Sequence, residues 1–574
     1  MIMPNLKLTG LTAGLLLLLS ACSGGGDDGK DGLNSLLSFS DEPPGANCPY
    51  GGTQISAGLD VNGNGILDTN EITSQDYLCV ASGGEFNGLV YSADQSINGM
   101  PELRRTNAGS ANDSLIFSPF NALGSVLSYA LSPDKQHLAF LAKENSIRVD
   151  LYLYTFNDGA PPIKATSWIT EDERVVSMQW APNSERLAYR LNYTTEGRHE
   201  LYSVFPSGVG SVQLHGNLIA GGTVYSDYQW APDGSRMAYR ASQETVGVHE
   251  LFTSLPDGTG NQKVNQTLVM GGNVTNFAWA PDSSLLAYRA DQTTDSIFEL
   301  YTTLPTESDS LRVSGTLVAG GNVINYQWAP NSQRLAYRAD QVTDGLNELF
   351  TSLPNGSSNV RVNGDLVAGG AVESFSWSPD SSRIAYLAKQ DADNIVELFL
   401  TSPTSNTDNP KVNDPLVNGR NVIFVSWAPD SARLAYRADQ DINDLYELYL
   451  VNLSSPEPQK AHPDMDVASN GVFLVAWSPD GEYIGYLADI NNASSYELFT
   501  NLADGSAFQQ RNVSQPAAFI FDFQWSAEGD RIAFAGDLET PGRYELYTVA
   551  LDGEPEVKVS GDMVAGGNVV SFSW

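Results

Sequence analysis

Phe375-Ser376-Trp377-Ser378-Pro379-Asp380-Ser381-Ser382-Arg383-Ile384-Ala385-Tyr386 decides the fold, because the chain keeps repeating it. Its tryptophan returns as Trp180, Trp230, Trp279, Trp328, Trp377, Trp427, Trp477, Trp525 and Trp574, at intervals of 48 to 50 residues. About ten residues after each tyrosine the text resumes with a Glu-Leu-aromatic triplet, here Glu397-Leu398-Phe399. Self-similarity at such a period marks a solenoid or a propeller, in which each unit covers the apolar face of the next.

Alternation inside a unit favours strands. In Asn322-Val323-Ile324-Asn325-Tyr326-Gln327-Trp328, Ile324, Tyr326 and Trp328 fall on one side of a period-two segment. Pro-Asp-Ser then sets a tight turn. Arg383 to Tyr386 continues as a second strand, Glu397 opens a third, and Val360-Arg361-Val362 typifies a fourth that leads through Gly369-Gly370 into the next unit. Four antiparallel strands make a propeller blade.

The register extends upstream, since Leu131-Ser132-Pro133-Asp134 takes the tryptophan position one unit before Trp180. Leu89-Val90-Tyr91 and Glu102-Leu103 supply a still earlier unit without its opening strand, and Val569 to Trp574 supplies an opening strand alone. The expectation is all-β: nine complete units plus a tenth blade made from both ends, closing one ring and removing exposed sheet edges. Two smaller rings, or a fragment of a longer array, are the alternatives. The Trp-Ser/Ala-Pro-Asp pattern with its Arg-Leu-Ala-Tyr continuation resembles the propeller repeats of the TolB family over residues 88–574. The units here are longer than the roughly 40 residues usual for four-stranded blades, and they outnumber the blades of TolB.

Ahead of the repeats, Lys7, the apolar run Leu15 to Leu19, and Leu19-Ser20-Ala21-Cys22 resemble the signal and lipobox of bacterial lipoproteins. The resemblance implies removal of residues 1–21, lipid on Cys22 and, with Ser23 following, an outer-membrane position. Residues 22–42 begin with a Gly- and Asp-rich run that suits a flexible tether. Residues 43–82 form a small module expected to be clamped by Cys48 and Cys79, the two cysteines left in an exported chain. Between them, Asp60 to Glu71 meets every fixed position of the D-x-[DN]-x-[DN]-G-x5-E calcium loop. Asp60, Asn62, Asn64, the Ile66 carbonyl, Asp68 and Glu71 would supply the about six to eight oxygens that Ca2+ takes. The flanks are not amphipathic helices, so no paired EF-hand is expected. The segment also resembles a small module of unassigned function near the N-termini of bacterial surface lipoproteins.

The net charge of -37 disfavours nucleic acid and anionic lipid as partners. The tryptophans read as packing between blades. Arg190, Arg240, Arg289, Arg338 and Arg437 each precede a glutamate by ten residues, which suggests cross-strand ion pairs with Glu200, Glu250, Glu299, Glu348 and Glu447. Loops on one face gather Asp291, Asp295, Asp340, Asp344, Asp391, Asp393, Asp439, Asp441 and Asp444, a candidate surface for a basic protein partner. No nucleophile elbow, zincin motif or phosphate loop occurs. His199 and His249 match across neighbouring blades without a third ligand. Propeller peptidases also carry an α/β-hydrolase domain, for which no sequence remains here. The expectation is a non-enzymatic, lipid-anchored propeller that binds a protein in the cell envelope. A glycan binder or polysaccharide lyase, and a passive structural protein, are the alternatives.

Overall fold

The computed structural model describes residues 35–42, 52–62, 67–68, 71–79 and 86–574, the last span with breaks at 87, 110–112, 120–123, 144–147, 157, 194–196, 418, 467–468, 491–494 and 513–517. Among the described residues every helix or strand is a β-strand. The chain falls into two units, Met1–Gly84 and Glu85–Trp574.

In the first unit, Ser35–Glu42, Gly52–Leu59 and Ile72–Cys79 pair antiparallel in chain order. Ser38 lies opposite Ser56, which in turn lies opposite Gln75. The tether expected through residue 42 is corrected here. The Gly-rich text stops at Gly32, and from Ser35 the backbone is paired along a strand.

In the second unit the blades follow the repeat. Blade four, for instance, consists of Val274–Trp279, Leu286–Ala290, Glu299–Thr303 and Leu311–Arg312, neighbours in that order. Blades one to nine open at Ser125, Glu173, Val224, Val274, Val323, Val372, Val422, Gly471 and Ile520. Blade six keeps three strands, and Lys411 reaches Phe399 by a single bridge. Blade ten is composite: Val569–Ser573 pairs with Gly88–Ala93, which continues to Glu102–Asn107 and Asp113–Phe117.

Apolar packing between blades closes the ring. Leu448 and Ala435 of blade seven pack with Val472 and Tyr486 of blade eight, and Leu487 packs with Ile520 and Phe534 of blade nine. Ala533 and Leu546 then meet Leu89 and Tyr91 of blade ten, and Leu103 and Phe117 meet Leu138 and Phe140 of blade one. Six further clusters carry the sequence from blade one back to blade seven. Every blade therefore packs against two others in one unbroken cycle, which is a single ten-bladed ring.

Polar ties repeat with the same period. The Trp328 indole donates to the Ala278 carbonyl of the preceding blade at 3.2 Å, and Trp180, Trp230, Trp279, Trp427, Trp525 and Trp574 do the same. In the turn after each tryptophan one residue is left-handed, with φ of 62° at Ser332 and 64° at Ser381. Glycine would relieve that strain, and stands there as Gly234. Serine offers a compensation: the Asp282 amide donates to the Ser332 hydroxyl and the Asn331 amide to that of Ser381, each at 3.0 Å from the blade before.

The expected Arg–Glu ion pairs do not form, and the register gives the reason. Arg338 lies opposite Leu349 while Glu348 lies opposite Ala339, so the two charged side chains leave opposite faces of the sheet. Each arginine instead reaches the first strand of the next blade. Arg190 donates to the Val224 carbonyl at 3.1 Å, Arg240 to Val274 at 2.6 Å, Arg338 to Val372 at 2.9 Å and Arg437 to Phe473 at 2.9 Å. Arg289 does likewise with Val323. Four of the glutamates pair with the fourth strand, Glu250 with Lys263 at 3.0 Å, Glu299 with Arg312 at 2.8 Å, Glu348 with Arg361 at 2.9 Å and Glu447 with Lys460 at 3.0 Å, while Glu200 meets Arg198 of its own strand at 2.8 Å.

Candidate binding face

First strands bond to the first strands on either side, and fourth strands such as Leu311–Arg312 are exposed. The first strands therefore surround the axis, and the loops joining strands four to one and two to three share one face. On that face the nine aspartates divide. Asp291, Asp340 and Asp439 are buried. Asp291 accepts the amides of Asn273 at 2.6 Å and Ser296 at 3.0 Å, and Asp439 those of Asn421 at 2.6 Å and Asp444 at 3.1 Å. Asp340 holds Asn322 and Gly345 in the same way. As partner contacts these three are corrected: each carboxylate staples its own loop. Asp391 and Asp441 are engaged by Lys411 at 2.7 Å and Lys460 at 2.6 Å. Asp295, Asp344, Asp393 and Asp444 are exposed and face solvent.

A feature that alternation hides lies just inside these loops. Each first strand slips register near its start, and in blade five the slip falls between Val323 and Asn325, leaving one residue bulged. Ile324 is that residue and is exposed, not on the core face where strict alternation puts it, while Val323 is fully buried. Equivalent bulges expose Leu127, Val176, Ile423, Phe473 and Val570. One bulge per blade makes a largely apolar collar around the channel mouth. The legible signal is the odd spacing from Val323 to Tyr326, both of which pack inward.

Around blades eight and nine the collar becomes aromatic. Phe473 lies 5.2 Å from Tyr496, Tyr496 5.8 Å from Phe519, and Phe519 6.3 Å from Tyr544, which meets Phe521 edge-on at 5.1 Å. Elsewhere a cation covers the ring, as Arg289 does Phe298 at 4.2 Å. His249 packs against Tyr225 at 3.8 Å and lies beside Arg240. Burial and Arg190 press the His199 pKa down to about 4, and burial and Arg240 lower that of His249. Arginines beside both imidazoles oppose a metal cation there. Glu497 differs from Glu299, Glu348 and Glu447: it is buried with Gln510 at the position of their basic partners, and burial, reinforced by Asp489, pushes its carboxyl up to about 7.

The Asp60 to Glu71 segment connects the second and third strands of the N-terminal sheet. Asp60 and Glu71 are buried. One Glu71 oxygen accepts the amides of Val61 at 2.9 Å and Asn62 at 3.1 Å, the other that of Asp68 at 3.1 Å. The Asn62 amide group donates to Asp68 at 2.7 Å. Four oxygen-bearing side chains from one short loop suit a hard cation. Among the described residues no three His, Cys, Asp or Glu side chains converge as a metal site, so Asn62 and loop oxygens would have to complete the set. Asn64, Ile66, Cys22 and Cys48 lie outside the described residues, and Cys79 ends its strand.

Residues 34–79 match the family model of a domain of unknown function, DUF7151. A comparison with curated proteins finds no match. Among solved structures, Porphyromonas gingivalis dipeptidyl peptidase 4 is similar at 13% identity and TM-score 0.44, over 76% of this chain and 60% of that one. Prolyl oligopeptidase B from Galerina marginata is similar at 10% identity and TM-score 0.35, over 61% of this chain and 51% of that one. A putative TolB from Agrobacterium tumefaciens is similar at 15% identity and TM-score 0.27, over 45% of this chain and 85% of that one. The chain thus spans about half to three fifths of the length of the two peptidases. These likenesses bear on the fold alone. The expectation of a non-enzymatic chain is corrected to this extent: the similar solved structures include peptidases, matched in part and at low identity.

Proposed function

We propose that this chain is a lipid-anchored protein of the bacterial outer membrane whose propeller is a platform for a protein partner, docked on the face that carries the collar. The collar is the observation that carries the reading. Exposed apolar side chains at the start of the innermost strands, rimmed by Asp295, Asp344, Asp393 and Asp444, have the apolar-centre, polar-rim arrangement of interaction surfaces. The lipobox-like Leu19 to Cys22 supports the anchor, and the Asp60 to Glu71 loop supports a structural Ca2+ that stiffens the N-terminal hairpin.

The test is affinity capture by the full chain from solubilised envelope, with calcium and with chelator, read by mass spectrometry. A reproducible protein partner lost in the double variant Ile423→Asp, Phe473→Asp upholds the platform. Empty capture together with binding on polysaccharide arrays replaces it with a glycan reading. Labelled fatty acid incorporated by the native chain and absent from Cys22→Ser checks the anchor.

A further inference from the structure

The ten blades permit a comparison that isolates one residue. In blade three Arg240, whose neighbour Tyr239 lies opposite Tyr228, is held by both oxygens of Asp227, donates to the Val274 carbonyl and covers the Tyr225 ring at 5.8 Å. The equivalent position in blade nine is Ala535, and opposite it stands Asp522. Blade nine therefore keeps the acid of this ion pair and lacks the arginine. Where arginine is lost in other blades, the opposite residue is neutral: Ser374 faces Leu387, Leu474 faces Leu487, Ser571 faces Ser92 and Ser128 faces Leu141.

Asp522 is half-buried on the innermost strand and has no ion pair among the described residues. Burial raises its carboxyl above the usual range, only partly offset by the Phe523 amide. Its chain neighbour Phe521 meets Tyr544 edge-on, and Phe519 extends the aromatic surface. A carboxylate next to aromatic faces is the setting in which guanidinium groups bind, and blade three shows this scaffold holding one.

We propose that Asp522, with Phe521 and Tyr544, is a binding site for an arginine side chain of a protein partner, presented on a segment whose flanking apolar residues contact the collar. The proposal rests on the platform reading and specifies its chemistry. Charge complementarity points to a basic segment, since the chain carries -37 net and Asp444 is exposed on the same face.

The probe is a fluorescent pentapeptide with a central arginine between leucines, titrated against the full chain by polarisation, beside a twin with citrulline, which keeps the shape and removes the charge. Binding should weaken at least tenfold for the citrulline peptide and for Asp522→Asn, and hold for Asp552→Asn, an exposed residue in the loop joining strands three and four of the same blade, on the opposite face. Ala535→Arg, which rebuilds the blade-three pair, should abolish it. Should Ala535→Arg not fold, Asp522→Asn decides the matter. Equal affinity for the two peptides, or full affinity in Asp522→Asn, overturns the proposal. The peptide is synthetic, so empty capture from envelope removes the platform reading and leaves this result standing. A captured partner that Asp522→Asn retains in full removes the arginine site and leaves the platform.

Discussion

Blades seven and eight are neighbours built on one plan, and they differ in the partner given to one buried glutamate. In blade seven, Glu447 is buried and met by Lys460 at 3.0 Å. In blade eight, Glu497 is equally buried, Gln510 replaces the lysine, and the carboxyl titrates near 7. Both blades keep the second-strand tyrosine stacked on a third-strand aromatic, Tyr436 on Tyr449 at 5.1 Å and Tyr486 on Phe499 at 5.8 Å. The repeat holds its shape through packing, and its charge pairs are free to vary.

The largest expected effect tests the shared part. Tyr436→Ala and Tyr486→Ala each remove a fully buried aromatic and should cost about 3 to 5 kcal/mol, measured by denaturant unfolding. A large difference between them would break the view that packing is the invariant. The second effect isolates the charge. The folded pKa of Glu497 is raised from 4.5 to about 7, so the native state favours the protonated form and stability is lost as pH rises from about 4.5 through about 7. Glu497→Gln should therefore stabilise by up to about 3 kcal/mol at pH 8 and by nothing at pH 4. Gln510→Lys should recover roughly 1 to 2 kcal/mol at pH 8, because the new ammonium keeps some exposure. The smallest effect compares two tryptophans. The Trp328 indole N–H has a carbonyl partner and that of Trp377 has none among the described residues, so Trp328→Phe should cost about 1 kcal/mol more than Trp377→Phe in thermal unfolding.

The architecture was legible because packing leaves periodic text: the tryptophans gave the blades, and Leu89 to Leu103 with Val569 to Trp574 gave the composite one. The charge partners were not, because a ten-residue spacing says nothing about which face a side chain leaves. A one-step offset in register sent Arg338 and Glu348 apart. The better signal was the basic residue thirteen or fourteen positions after most of the glutamates, as in Glu299 and Arg312 or Glu397 and Lys411. The collar was hidden because a bulge inserts a residue that alternation misassigns, as at Ile324. Asp522 could be recognised only once the register showed what stood opposite it.

The composite blade also sets the order of events in folding. Nine blades are meanders of neighbouring hairpins and can assemble as local contacts while the chain emerges. The tenth waits, since the Gly561 amide and the Tyr91 hydroxyl it meets are 470 residues apart. Contacts of such long range carry the greatest loop-closure entropy and form late. Until then both ends are open sheet edges, the state in which a chain is most prone to pair with its neighbours. Clasping the ends is thus the committing step, and it gives an array of local units the behaviour of a single cooperative body.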